Sequence, residues 1–258
     1  MFGARRRRKA TLEAGFLPEW RDILDRRWRH WALLDAGERA RVEDVALGLI
    51  ARLRWEPANG FALTDEVIVV VAAQAALLVL ELPEAWLDGV RTVIVHPTTV
   101  HARGEHSQVP GLVSDEPMEL LGEAQPEGTV FIVWDAARFA ARHPERGTNV
   151  VFHEFAHVLD MVSGMVDGTP PMDTDEQAQR WVEVCTATYD DVQHGTDSGV
   201  LDPYAGVNPG EFFAVATEAF FDVPIDLREG EPDLYAVLAD FYGQDPAGRL
   251  ETRGTRAS

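Results

Sequence analysis

The 258-residue chain is 46% hydrophobic and 26% charged, the balance of an ordinary globular protein long enough to bury a sizeable core. Its 43 acidic against 23 basic side chains give a formal charge of -20, which repels phosphates, argues against nucleic-acid binding and favours cations. The one cysteine, Cys185, excludes an intramolecular disulfide and reads as a small core residue on a helix rather than a nucleophile.

From the N-terminus, the basic run Arg5-Arg6-Arg7-Arg8-Lys9 leads into Thr11-Leu12-Glu13 rather than an apolar stretch. It therefore reads as a disordered, solvated tail and not as an export signal. Trp20, Leu24, Trp28 and Trp31 recur at helical spacing and predict one helix over Glu19 to Leu34. Asp35 with Glu38 has the pattern of a capping box opening a second helix, with Val42, Val45, Leu49, Ile50 and Leu53 as its apolar face. Asn59-Gly60 breaks the chain, and Thr64 stands where it can cap a third helix. From Val67 to Leu80 only Gln74 interrupts an apolar run, which Glu81 and Pro83 close. A membrane span needs about 20 apolar residues, so this is expected to be a buried core helix in a soluble, cytoplasmic protein.

Two short β-branched segments follow, Val90 to Val95 and Thr129 to Trp134, and they predict strands. The stretch between them, His101 to Glu127, is rich in Gly, Pro, Glu and Ser and reads as an excursion or lid. Helices are then expected over Asp135 to Arg142, Asn149 to Val162, Asp175 to Tyr189, Pro209 to Asp222 and Pro232 to Tyr242. The tail beyond Arg249 is polar and expected to fray.

The chemistry concentrates in His153-Glu154-Phe155-Ala156-His157. Histidines four apart on a helix stack their imidazoles on one face, as two ligands of a tetrahedral ion require. Glu154 lies about 100° around the axis from His153, within reach of a metal-bound water without itself occupying the metal. The apolar residues Val150, Val151, Phe155, Ala156, Val158 and Leu159 bury the helix, and Asn149 or Thr148 can cap it. The competing reading is a pair of structural histidines.

A third ligand decides between classes. The metzincin pattern wants Gly and His where Asp160 and Ser163 stand, which removes that class. Gly168-Thr169-Pro170-Pro171-Met172-Asp173 misses an aspartate-type pattern by one residue. The remaining class takes a glutamate from a later helix, and Glu211 and Glu218 share one face of an apolar stretch seven residues apart. Asn208 as N-cap, Pro209 at N1 and Glu211 at N3 also make a capping box. Spacing leaves both glutamates open, with Glu218 slightly ahead because it lies inside the helix. Asp160, two turns along from His153, is either an acceptor for an imidazole N–H or a plain surface acid.

HEFAHVLD, DPYA at Asp202 to Ala205 and NPGEFFAVATEAFF at Asn208 to Phe221 together resemble the Mlc titration factor A family. LELPEAWLDGVRTVIVHP at Leu80 to Pro97 and FYGQDPAGRL at Phe241 to Leu250 extend the likeness over most of the chain. That family comprises bacterial zinc peptidases whose catalytic region is similar in fold to the anthrax lethal factor protease domain. The resemblance implies an α+β, mostly helical, zincin-like metallopeptidase with a small sheet beside the HExxH helix. The break near residues 55–65 is read as a soft boundary that does not force two domains, between an N-terminal helical segment (1–60) packed on the core and a catalytic domain (61–250), with a disordered tail (251–258). The resemblance implies one zinc ion held by His153, His157 and Glu211, Glu154 as catalytic base, and Tyr204 near the metal. In the family a loop histidine also reaches the zinc; the matching place here is Ser114, with His101 and His106 nearby on the same excursion. The implied activity is peptide-bond hydrolysis of the aminopeptidase type, with a peptide or protein as substrate. Zinc and Tyr204 would stabilise the oxyanion, and the edge strand from Thr129 would pair with the substrate. The alternative is a regulatory protein that sequesters a transcriptional repressor, its zinc site structural or vestigial. Neither reading involves nucleic acid or a membrane.

Overall fold

The computed structural model describes residues 2–98 and 128–254. His101, His106 and Ser114 lie outside the described residues.

The first fifty residues are helical: α1 (Phe2–Ala14), α2 (Pro18–Arg27), α3 (Arg29–Leu33) and α4 (Ala36–Arg52). The basic run expected as a solvated tail lies within α1, which packs on α4. Arg, Lys, Ala and Leu are all good helix formers, and a neighbouring helix is enough to fix them. The single helix expected over Glu19 to Leu34 is two. Trp28 takes an extended conformation (φ -129°, ψ 112°) that buries its indole against Trp31, and the next amide, Arg29 N–H, donates to Ala141 O at 2.9 Å. Tertiary packing thus overrides the helical period at one residue. Asp35 and Glu38 form the expected reciprocal capping box at the start of α4.

The strands β1 (Arg54–Pro57), β2 (Thr92–His96) and β3 (Thr129–Val133) pair in parallel in the order β1-β2-β3. Arg54 sits opposite Thr92, and Thr92 opposite Thr129. The apolar helix α5 (Asp65–Leu78) makes the crossover from β1 to β2 and is buried from Val69 to Leu78. It is 14 residues long, and among the described residues no helix is long and apolar enough to cross a membrane. Strand β1 has no counterpart among the expected strands: Arg-Trp-Glu-Pro lacks the β-branched signature, and only an edge position tolerates its proline.

After β3 the chain continues as α6 (Trp134–Ala140), α7 (Val150–Asp160), α8 (Asp175–His194), α9 (Pro209–Asp222), α10 (Pro224–Gly230), α11 (Pro232–Tyr242) and α12 (Pro246–Gly254). The fold is α+β and mostly helical, as expected. The tail beyond Arg249, expected to fray, is helical as far as Gly254, with residues 255–258 outside the described residues, and Arg249 pairs with Glu38 at 2.7 Å. The largest fully buried side chains, Trp28, Trp181, Tyr242, Phe152, Phe155, Phe213 and Phe220, come from both ends of the chain and form one core. Helices α7 and α9 pack directly against each other at its centre, and every residue of α9 from Gly210 to Asp222 is buried. A helix buried on all sides must find a partner for each charge it carries, and α9 carries three acids.

Candidate metal centre

Asn149 starts α7. Its Oδ1 accepts the amides of Val151 and Phe152 at 3.1 and 3.3 Å, fixing the register of the helix that follows. One turn later His153 and His157 project together, with ring centroids 4.9 Å apart and planes at 82°. Helix α9 supplies the opposing acids. Asn208 accepts the Glu211 amide at 3.0 Å, as a cap should. The Glu211 carboxylate does not complete the capping box; it turns inward to the histidines.

Three atoms converge there. His153 Nε2 lies 3.2 Å from His157 Nε2 and 3.0 Å from Glu211 Oε2, and His157 Nε2 lies 3.5 Å from the same oxygen. Tetrahedral zinc with bonds of about 2.0–2.2 Å holds neighbouring donor atoms about 3.3–3.5 Å apart, so this triangle is close to that size and slightly tighter on two of its sides. Glu211 Oε2 is buried and makes no aligned hydrogen bond, the condition of an atom kept for a cation. The charge balance agrees. Glu154, Glu211 and Glu218 are all buried around two imidazoles, an acid-rich surround that favours a bound cation.

Glu218 takes a different place from Glu211. Its Oε1 accepts from His153 Nδ1 at 2.7 Å on the far side of the ring, and its Oε2 accepts the Asn149 amide. The two glutamates that spacing could not separate therefore grip opposite nitrogens of one imidazole. Burial disfavours a charged His153, yet its contacts with Glu211 and Glu218 raise its pKa to about 10. Burial likewise opposes ionisation of Glu211, but His153 and His157 hold its pKa down to about 2.

Glu154 is buried, and its Oε1 has no hydrogen-bond partner. Burial pushes its pKa up to about 7; the two histidines pull against that rise, while Glu211 and Glu218 add to it. Tyr204 rides on the 3₁₀ turn Pro203–Gly206, which Asp202 caps through the Tyr204 amide at 2.9 Å. Its ring centroid is 6.2 Å from that of His153. Burial, with the charges of Glu211 and Glu154, raises its pKa to about 12, so the phenol keeps its proton at neutral pH.

Asp160 is neither an imidazole acceptor nor a surface acid. It is fully buried, and its Oδ2 accepts the Gly168 amide at 2.9 Å. Gly168 has a left-handed φ of +74°, and a Cβ there would stand 2.3 Å from Pro209 O at the start of α9. Its carbonyl also accepts from Trp181 Nε1 at 3.0 Å, so one glycine ties α7, α8 and α9 together. Gly168→Ala is expected to lower unfolding stability by about 1–3 kcal/mol. An unchanged denaturant midpoint would refute this close approach. Gln74, His30 and Asp222, which also approach the site, drew no functional reading from sequence; Gln74 alone left a signal, as the one polar residue in an apolar run.

Helix α7, bearing His-Glu-x-x-His with a carboxylate facing it from a later helix, defines the class: a metallopeptidase. The chain belongs to the glucose-regulated metallo-peptidase M90 family, whose model matches residues 2–243. It is 33% identical over 229 residues to Mlc titration factor A of Edwardsiella ictaluri, covering 86% of this chain and 87% of that protein. With Mlc titration factor A of Yersinia enterocolitica it shares 31% over 245 residues, covering 93% and 90%. An uncharacterized protein of Synechocystis is 32% identical over 244 residues, covering 93% and 89%. Family membership implies a metal ion, and the residues at the centre fit one.

Proposed function

We propose that the protein is a zinc-dependent peptidase of the aminopeptidase type, with His153, His157 and Glu211 holding one zinc ion. The observation that carries this is the triangle of 3.0, 3.2 and 3.5 Å formed by Nε2, Nε2 and Oε2 of those residues. When bound, zinc supplies Lewis acidity and makes water nucleophilic near neutral pH. The chain's own groups do the rest. Glu154 takes the proton of the attacking water on its carboxylate and passes it to the leaving amine. The Tyr204 phenol, protonated and close to His153, donates to the developing oxyanion. Among the described residues β3 is paired only with β2, and its other side offers backbone groups to an extended substrate by strand addition.

The relatives' name favours a second reading, in which the protein binds and sequesters a transcriptional repressor such as Mlc while the metal is structural. Elemental analysis and hydrolysis of a chromogenic aminopeptidase substrate separate the two. The peptidase reading expects one zinc per chain and an activity that a chelator abolishes and zinc restores. Zinc present without chelator-sensitive hydrolysis, together with repressor binding, supports the second reading.

A further inference from the structure

Behind the metal centre lies a set of buried polar groups that the chemistry above does not use. Gln74 is fully buried in α5, Asn149 is fully buried at the start of α7, and Asp222 and His30 are 6% exposed. Placing bare polar groups in such an interior is unfavourable, so each needs its partners. Those partners form a chain with one sense. The Val70 carbonyl can only accept, and it takes a hydrogen bond from Gln74 Nε2 at 3.3 Å. This turns Gln74 Oε1 outward, where it accepts from Asn149 Nδ2 at 3.0 Å. Beyond it, neither oxygen of the Asp222 carboxylate makes an aligned hydrogen bond among the described residues; His30 Nε2 stands 3.2 Å from Asp222 Oδ1 and hydrogen-bonds the Phe221 carbonyl at 3.0 Å.

With its nitrogen held by Gln74, Asn149 is kept from flipping, and its Oδ1 faces the amides of Val151 and Phe152. The main-chain N–H of Asn149 is thereby aimed at Glu218 Oε2, and Glu218 Oε1 accepts from His153 Nδ1. A carboxylate can only accept, so the proton of a neutral His153 belongs on Nδ1. Nε2 then presents its lone pair toward Glu211 and His157.

We propose that Gln74 is a positioning residue for the metal-binding histidine: by holding the Asn149 amide it keeps Glu218 against His153 Nδ1 and leaves Nε2 free for the metal. This rests on the metal-centre reading above. It extends the functional unit from the HExxH helix into α5.

Zinc affinity, measured by competition with a chromogenic chelator, tests it beside apo-protein melting temperature and ¹⁵N NMR of ¹⁵N-histidine-labelled protein. Gln74→Met keeps the length and apolar fit while removing the acceptor. It is expected to weaken zinc about tenfold, the lower end of what outer partners of a ligand contribute, and in the zinc-bound protein to move the His153 Nδ1–H signal as its hydrogen bond to Glu218 loosens. Asn149→Ser, which keeps an oxygen to cap α7 and removes the Nδ2 that Gln74 holds, is expected to weaken zinc in the same range. It carries the test if Gln74→Met does not fold. The control is Thr217→Val on the same helix α9, which breaks a buried bond to Tyr242 (2.8 Å) outside the chain of contacts. It should lower the melting temperature yet leave zinc affinity unchanged. If wild type binds zinc and Gln74→Met and Asn149→Ser bind it equally well, with melting losses like that of Thr217→Val, the Gln74–Asn149 contact is only structural and the inference is overturned. A wild type that binds no zinc overturns the metal-centre reading and this inference with it.

Discussion

Exchanging Glu154 for glutamine is expected to leave fold and zinc content intact and to lower kcat for a chromogenic peptide substrate by about 10²–10⁴-fold, the contribution of a general base. Glutamine has the same shape, and its amide oxygen has too little basicity to take a proton from water. The carboxylate is suited to that role because it is buried, unpartnered at Oε1 and pushed up to a pKa of about 7. A base whose pKa lies near the working pH is largely available and still strong enough to accept. The two effects separate in steady-state kinetics. Loss of a group acting only in the transition state lowers kcat and kcat/KM together, whereas loss of substrate binding raises KM. A Glu154→Gln enzyme with full kcat and unchanged zinc would sink the assignment of Glu154 as base. In the sequestering reading, Glu154→Gln would bind repressor as wild type does and there would be no chelator-sensitive hydrolysis to lose.

The parts of this fold legible in the sequence are those whose causes are local. Caps are set within four residues, and Asp35 with Glu38, Asn149 and Asn208 all cap as their positions imply. Thr64 precedes α5 but makes no side-chain cap, since a threonine in place does not force the bond. The spacing of His153 and His157 is likewise a property of one helix. What depends on distant packing was not legible. Trp28 breaks a helix because the Arg29 amide finds its acceptor in Ala141 while the indole is buried beside Trp31, and β1 is a strand because β2 lies beside it. Asp160 stood at the right offset to serve an imidazole, but the glycine turn at Gly168 claims its carboxylate. The centre divides in the same way. The HExxH helix is visible as a motif, whereas the roles of Glu211 and Glu218 follow from how α9 is rolled against α7, which periodicity within α9 cannot report. Gln74 was visible as an oddity, but the partner that explains it lies 75 residues away.

The roll of α9 gives the second prediction with a large effect. Glu211→Gln removes the anionic oxygen that stands 3.0 and 3.5 Å from the two imidazole nitrogens. It leaves three metal-facing donors with one charge fewer. Glu218→Gln keeps an oxygen for His153 Nδ1 but sets an amide N–H₂ against the Asn149 N–H, so one of two bonds becomes a donor-donor contact. Loss of a partner behind a ligand costs about 10–100-fold in metal affinity, and Glu218→Gln is expected within that range. Glu211→Gln is expected to weaken zinc by more than that, and activity at limiting zinc should fall in the same order. The measurement is zinc affinity by chelator competition for both variants on one scale, with zinc content after dialysis as the check. Should Glu218→Gln prove the more damaging of the two, the ligand is Glu218, and the triangle formed by Glu211 with the histidines describes the apo arrangement alone. If neither exchange changes affinity, the metal is not held by α9, and the class of site inferred from a following-helix glutamate falls with it.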